Sequence, residues 1–291
     1  MQKDVSTTLA RAGDGTIQIN LTIPFEIIKK TRLEAAKELS ENVEVPGFRK
    51  GKAPIDKVIE KIPSNTLLER TLTRILPKLI GRAIEKDDLK LAMYPKFDLV
   101  KANENEDWQI VANTCELPEV DLGSYKDSVK GVLRSKNLWV PGKTNTNDKK
   151  PGKEEAQEEI LKTLLDSIKV TIPKILLEEE TNTRISRLLE RLEKLGLSLD
   201  SYLASINKTA ESLRSEYENQ SRESISIELI LNKIAEEEKI NIDQKEIESA
   251  LKASSADNGL HKELDSPDKR KLLESILRRR KALDFLANLP K

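Results

Sequence analysis

The sequence predicts an α+β N-terminal domain, antiparallel strands with helices inserted among them, followed by an all-α C-terminal domain. Three observations carry that prediction. The segment TIQINLTI at Thr16–Ile23 alternates apolar and polar residues with β-branched enrichment, the pattern of a half-buried strand. Extended segments return near 93–100 and 108–117, after a long interval of helical spacing. Beyond residue 154 the apolar residues recur only at helical intervals. The expected organisation is a first domain at 1–123, a linker at 124–153 and a helical domain at 154–291.

Local signals justify the elements in turn. Thr16–Ile23 is the first one expected. Pro24 opens an amphipathic run in which Phe25, Ile28, Leu33, Ala36 and Leu39 lie at near-helical spacing, and proline at a helix start loses no hydrogen bond because that N–H has no intrahelical partner. Helical patterning resumes at Pro54 and continues over 67–85, where Pro77 bends the helix rather than ending it, since the spacing carries on through Leu79, Ile80 and Ala83. The linker holds Pro141, Gly142, Pro151 and Gly152 among Asn, Thr, Asp and Lys, the composition of exposed chain. Further on, 173–195 closes at Gly196, a residue suited to a left-handed cap, and 209–239 runs through Leu213, Tyr217, Ile225, Leu229 and Ile234. Asp243 with Glu246 forms a capping-box-like pair, and Ser266-Pro267 starts the last helix.

Composition narrows the function. Fifty Lys and Arg balance fifty Asp and Glu, so a nucleic acid or membrane partner would have to be met by a local patch rather than by net charge. Two Met and few aromatic residues argue against an aromatic-lined small-molecule pocket or a Met-rich groove, leaving aliphatic surface for adaptable binding. The single Cys115 excludes an internal disulfide framework and a multi-cysteine metal site, as in a reduced cytosol. With no apolar leader and no apolar run of about 20 residues, a cytoplasmic location without a membrane partner is expected.

The segment VPGFRKGKAP at 45–54 sets Phe48 beside Arg49, Lys50 and Lys52, between Gly47 and Gly51. Those glycines allow a tight projecting tip. Two readings follow. Phe48 can tuck into the underlying core while its cationic neighbours solvate the turn. Alternatively, the tip grips a surface of RNA and protein together, cations on phosphates and the ring in an apolar pocket.

The run GFRKGKAP, set after a strand and an amphipathic helix, resembles the ribosome-binding signature of the trigger factor family. The resemblance reaches Pro118-Glu119-Val120 and resumes from Ile168-Lys169-Val170-Thr171-Ile172-Pro173 to the end. It implies an extended, arm-bearing C-terminal domain and an ATP-independent chaperone that docks at the polypeptide tunnel exit. Its partners would be ribosomal protein, rRNA and nascent or unfolded polypeptides, with a homodimer off the ribosome as a further possibility. Phe48, Arg49 and Lys50 would form the docking tip, Lys52 would add charge, and Gly47, Gly51 and Pro54 would shape it. One departure stands out. The family carries a prolyl-isomerase domain between the two resembling regions, whereas here only a linker with Trp139 as its sole aromatic separates Tyr125 from Glu154. The chain is therefore expected not to be an enzyme, the alternatives being a prolyl isomerase by family membership or a ribosome-independent cytosolic holdase.

Other signals lead away from catalysis. Gly142-Lys143-Thr144 resembles the end of a phosphate loop, but Asn137 replaces the required glycine. His261 has no partner at ligand spacing. No cofactor, metal or catalytic residue is expected. Between Arg49 and Arg82 nine cations face three anions. Arg70, Arg74, Lys78, Arg82 and Lys86 fall four apart on one helical face, which is either a solvated stripe or a surface steering this domain toward rRNA. The run Arg278-Arg279-Arg280-Lys281 reads as helix-surface charge.

Overall fold

The structure, a computed structural model, describes residues 5–41, 43–49, 51–103, 105–135, 153–254 and 267–289. It divides into two compact units, Met1–Leu117 with Pro173–Leu176, and Pro118–Ile172 with Leu177–Lys291.

The first unit is built on a four-stranded antiparallel sheet, β1 (Ser6–Arg11), β2 (Thr16–Ile23), β3 (Lys96–Lys101) and β4 (Trp108–Cys115), in the order β1-β2-β4-β3. Helices α1 (Phe25–Ser40), α2 (Ile55–Lys61) and α3 (Ser64–Asp87) are inserted between β2 and β3. Alternation along β2 sends Ile17, Ile19, Leu21 and Ile23 to one face, where they are buried with Ile110 and Ala112 of β4 against Ile28 of α1 and Ile75, Leu79 and Ile80 of α3. The register Ile19↔Ala112 and Leu21↔Ile110 fixes that face, because a slip of one residue would turn every apolar side chain outward. The Asp107 carboxylate caps α1 by accepting from the Phe25 N–H at 3.0 Å. As the apolar spacing predicts, α3 continues through Pro77.

Two expectations for this unit are corrected. The first element is β1, not Thr16–Ile23. STTLAR carries little apolar alternation because it is an edge strand with mostly exposed side chains, held by its pairing to β2. The strand expected at 93–100 begins only at Lys96; Pro95 has no N–H to donate to a ladder.

The second unit contains α4 (Tyr125–Ser135), α5 (Lys153–Ser167), α6 (Lys174–Lys194), α7 (Leu199–Ser205), α8 (Ala210–Glu237), α9 (Gln244–Ser254) and α10 (Pro267–Ala287). One core gathers Val129 of α4, Ile160 and Leu164 of α5, Ile230 and Ile234 of α8 and Leu286 of α10. A separate cluster joins Leu188 and Leu192 of α6, Leu203 of α7 and Leu213 of α8. The 28 residues of α8 span about 42 Å, so this one helix contributes side chains to both clusters. Gly196 adopts φ +68 after α6, and Thr209 Oγ1 caps α8 by accepting from the Ser212 N–H at 3.1 Å. The Asp243 N–H donates to Glu246 Oε2 at 3.1 Å, one half of the expected capping box. Ser266 lies outside the described residues.

The linker reading of 124–153 is corrected over its first part. Tyr125–Ser135 is helical, with Tyr125 and Val129 buried in the second core. Tyr125, Val129 and Leu133 are spaced by four, so one helical face turns inward. The Tyr125 hydroxyl donates to Glu238 Oε1 at 2.8 Å, and Lys126 Nζ lies 2.5 Å from the same oxygen. Lys126 and then Tyr125 hold the Glu238 carboxyl below its usual range, while burial pushes the Tyr125 phenol upward. A carboxylate whose folded pKa is depressed stabilises above its unfolded pKa, and that contribution disappears as pH falls through the folded value. Thermal unfolding of the intact protein is therefore expected to drop more steeply between about pH 5 and pH 3 than that of Glu238→Gln. Parallel curves would show that this contact contributes nothing.

Candidate functional site

The loop at 45–54 is two tight turns in succession. The Phe48 N–H donates to the Val45 carbonyl at 3.1 Å and the Lys52 N–H to the Arg49 carbonyl at 2.9 Å. Gly47 and Gly51 sit third in their turns with φ +83 and +74, a conformation other L-residues enter only at a cost. Pro46, second in the first turn, has the fixed φ such a turn uses. The base is anchored by Val45, buried with Ala35 and Ala36 of α1, Val58 of α2 and Leu67 of α3, and Pro54 leads into α2.

Phe48 is 46 % exposed, far above the core residues beneath it. Arg49 and Lys52 are exposed beside it, while Lys50 lies outside the described residues. The tip thus presents an uncovered aromatic ring with cations around it on a fixed base.

Nothing lies within 4 Å of a Cβ built on Gly47, so the cost of a side chain there is backbone strain alone. Gly47→Ala is expected to lower stability by about 1–2 kcal/mol. Gly13→Ala, also uncrowded and without positive φ, should stay within about 0.5 kcal/mol. Equal effects in denaturant titration would remove the strained turn from the account.

The basic stripe of α3 is partly neutralised. Arg70 reaches Glu38 at 3.1 Å, and Arg74 reaches Glu34 at 3.2 Å and also pairs with Glu38. On α10, Arg278 pairs with Glu274, Arg279 with Glu228 and Lys281 with Glu246, as helix-surface charge should. Burial pushes the Cys115 thiol up to about 11, so it is not a thiolate at neutral pH. Asn137, Trp139, Gly142, Lys143, Thr144 and His261 lie outside the described residues. Among the described residues no group of acidic, His or Cys side chains could hold a metal, and no helix is long and apolar enough to cross a membrane.

Exposed aliphatic side chains occur where helical periodicity could not place them. Leu189, Leu195 and Leu197 stand around the end of α6, and Leu272 and Ile276 stand one turn apart on α10. Leu195 and Leu197 flank the Gly196 cap, beyond the face that α6 buries, and that position was the available sequence signal.

Comparison with known proteins places this arrangement. A family model described as bacterial trigger factor protein (TF) matches residues 5–132, and one described as bacterial trigger factor protein (TF) C-terminus matches residues 143–288, half of the chain. The chain belongs to the bacterial trigger factor family. The two trigger factor matches leave only residues 133–142 between them. The trigger factor of Streptococcus uberis is 33 % identical over 134 residues, 46 % of this chain and 31 % of that protein. Those of Streptococcus agalactiae, serotype Ia, and Corynebacterium aurimucosum are 34 % and 28 % identical over 120 and 127 residues, 41 % and 43 % of this chain and 28 % of each relative. The aligned stretches thus span less than a third of those trigger factors. A solved structure from work on promiscuous substrate recognition in the folding and assembly activities of the trigger factor chaperone shares the fold, with TM-score 0.64 and 15 % identity over 98 % of this chain and 99 % of that one.

Proposed function

We propose that this protein is an ATP-independent chaperone of the cytoplasm that docks at the ribosomal tunnel exit through 45–54 and shields nascent polypeptides. The observation that carries the reading is the exposed Phe48 on a double-turn tip with Arg49 and Lys52 beside it. An apolar anchor ringed by cations suits a surface of protein and rRNA. Gly47, Phe48, Arg49, Lys50, Gly51, Lys52 and Pro54 form the docking element, residues 1–123 the docking domain and 154–291 the client-binding domain. Release without ATP requires weak, multiple contacts, and separated aliphatic patches supply these. Only ten residues separate the two family matches, too few for an isomerase domain, which supports a protein that acts by binding rather than by catalysing proline isomerisation.

The test is co-sedimentation with bacterial ribosomes of the intact protein and of Phe48→Ala/Arg49→Ala/Lys50→Ala, both shown to be folded. The intact protein should pellet and the variant should stay in solution. If both pellet equally, or neither does, the free cytosolic holdase takes precedence. Accelerated cis/trans relaxation of a proline-containing peptide would overturn the non-enzymatic part.

A further inference from the structure

The ion pairs between α1 and α3 set a register. Glu38 meets Arg70 and Glu34 meets Arg74, so the two helices run antiparallel and step in units of four. One turn further, the same register sets Lys30 opposite Lys78, and two turns further it sets Glu26 opposite Arg82. The run of acid–base pairs across the two helices therefore gives way to a rung of two lysines, both lining the same groove.

Lys30, Lys78 and Arg82 are exposed and line one groove of about 570 Å³, floored by Ile27 and Leu79. Among the described residues none of the three cations has an ion pair. Two carboxylates line the same groove. Glu34 is engaged by Arg74, and Glu26 stands near the Arg82 end. Facing like charges cost stability unless an anion bridges them. Lys78 and Arg82 are about 6 Å apart along α3, a step suited to successive charges on a polyanion. The same helix carries Leu67 in the core beneath the 45–54 loop, about 16 Å along the axis from Lys78.

We infer that the groove between α1 and α3 is a second contact for an RNA phosphate backbone, with Lys30, Lys78 and Arg82 as its cations. The inference rests on the ribosome-docking reading for its biological partner and adds a second anchor on the same unit. RNA is favoured over an acidic peptide because the groove offers an open line of cations over a shallow apolar floor, with no donor array selecting a carboxylate.

The test uses the full chain and a fluorescein-labelled 20-nucleotide oligouridine, with anisotropy titrations from about 0.05 to 0.2 M salt. Lys30→Gln/Lys78→Gln/Arg82→Gln removes the groove charges; Lys29→Gln/Lys37→Gln/Lys86→Gln removes three charges elsewhere on α1 and α3. Three lost single-strand phosphate contacts should make the slope of log affinity against log salt shallower by about 2 and weaken low-salt binding at least about tenfold. The control set should keep the slope. Retention of the slope by the groove variant, equal losses in both sets, or equal competition by polyglutamate would overturn the inference. The oligonucleotide assay needs no ribosome, so a failed co-sedimentation would remove the docking reading while leaving this result to stand or fall alone.

Discussion

Replacing Ile19 with Ala is expected to lower the stability of the first unit by about 3–4 kcal/mol, within the range for truncating a large aliphatic side chain in a packed core. Ile19 is fully buried at the centre of β2. Its strand is tied on both sides, to Leu9 of β1 and to Ala112 of β4, so the backbone cannot settle into the space that three lost carbons leave. The cross-strand neighbour Ala112 is too small to refill it. The facing Ile75, Leu79 and Ile80 are carried on a helix whose other contacts hold it in place. The loss therefore combines transfer and cavity terms. Trp108 belongs to the same core, and its fluorescence in a Trp139→Phe background would follow this unit through a urea titration. A change below about 1 kcal/mol would mean that α1 and α3 do not pack on this face.

What could be read from the residues differs by mechanism. The strands β2 and β4 and the helices α1, α3, α6 and α8 were legible because each repeats its apolar residues at its own period over several turns or pleats. β1 was not, since an edge strand exposes most of its side chains and owes its form to β2. In the loop, Pro46, Gly47 and Gly51 announced the turns, but the exposure of Phe48 depends on what lies around it, and a single side chain has no periodicity to reveal that. The spacing of Arg70, Arg74, Lys78 and Arg82 was visible. Which of them are neutralised was not, because Glu34 and Glu38 come from a helix more than thirty residues earlier.

The α4 helix shows a signal that was present and outweighed. Polar, Gly- and Pro-rich composition after residue 135 coloured the whole of 124–153 as linker, although Tyr125, Val129 and Leu133 already stood at helical spacing. Val129→Asp separates the two descriptions more sharply than any truncation. Val129 is fully buried in the core that includes Ile160, Leu164, Ile230 and Leu286, an apolar setting in which the Tyr125 hydroxyl already donates to Glu238. The new side chain must remain ionised at a desolvation cost or take up a proton, so its pKa in the folded state rises above the unfolded value of about 3.9. A raised carboxylate pKa stabilises the folded form least when ionised. The destabilisation should therefore be smallest below about pH 4 and grow as pH rises, reaching at least about 4 kcal/mol at neutral pH once the lost valine contacts are included. Arg134→Gln, exposed on the same helix, should stay within about 0.5 kcal/mol. If Val129→Asp also stayed there, with no dependence on pH, residues 125–135 would be exposed chain in solution. A large, pH-dependent loss would instead make α4 a structural part of the second unit, in keeping with its place in Pro118–Ile172.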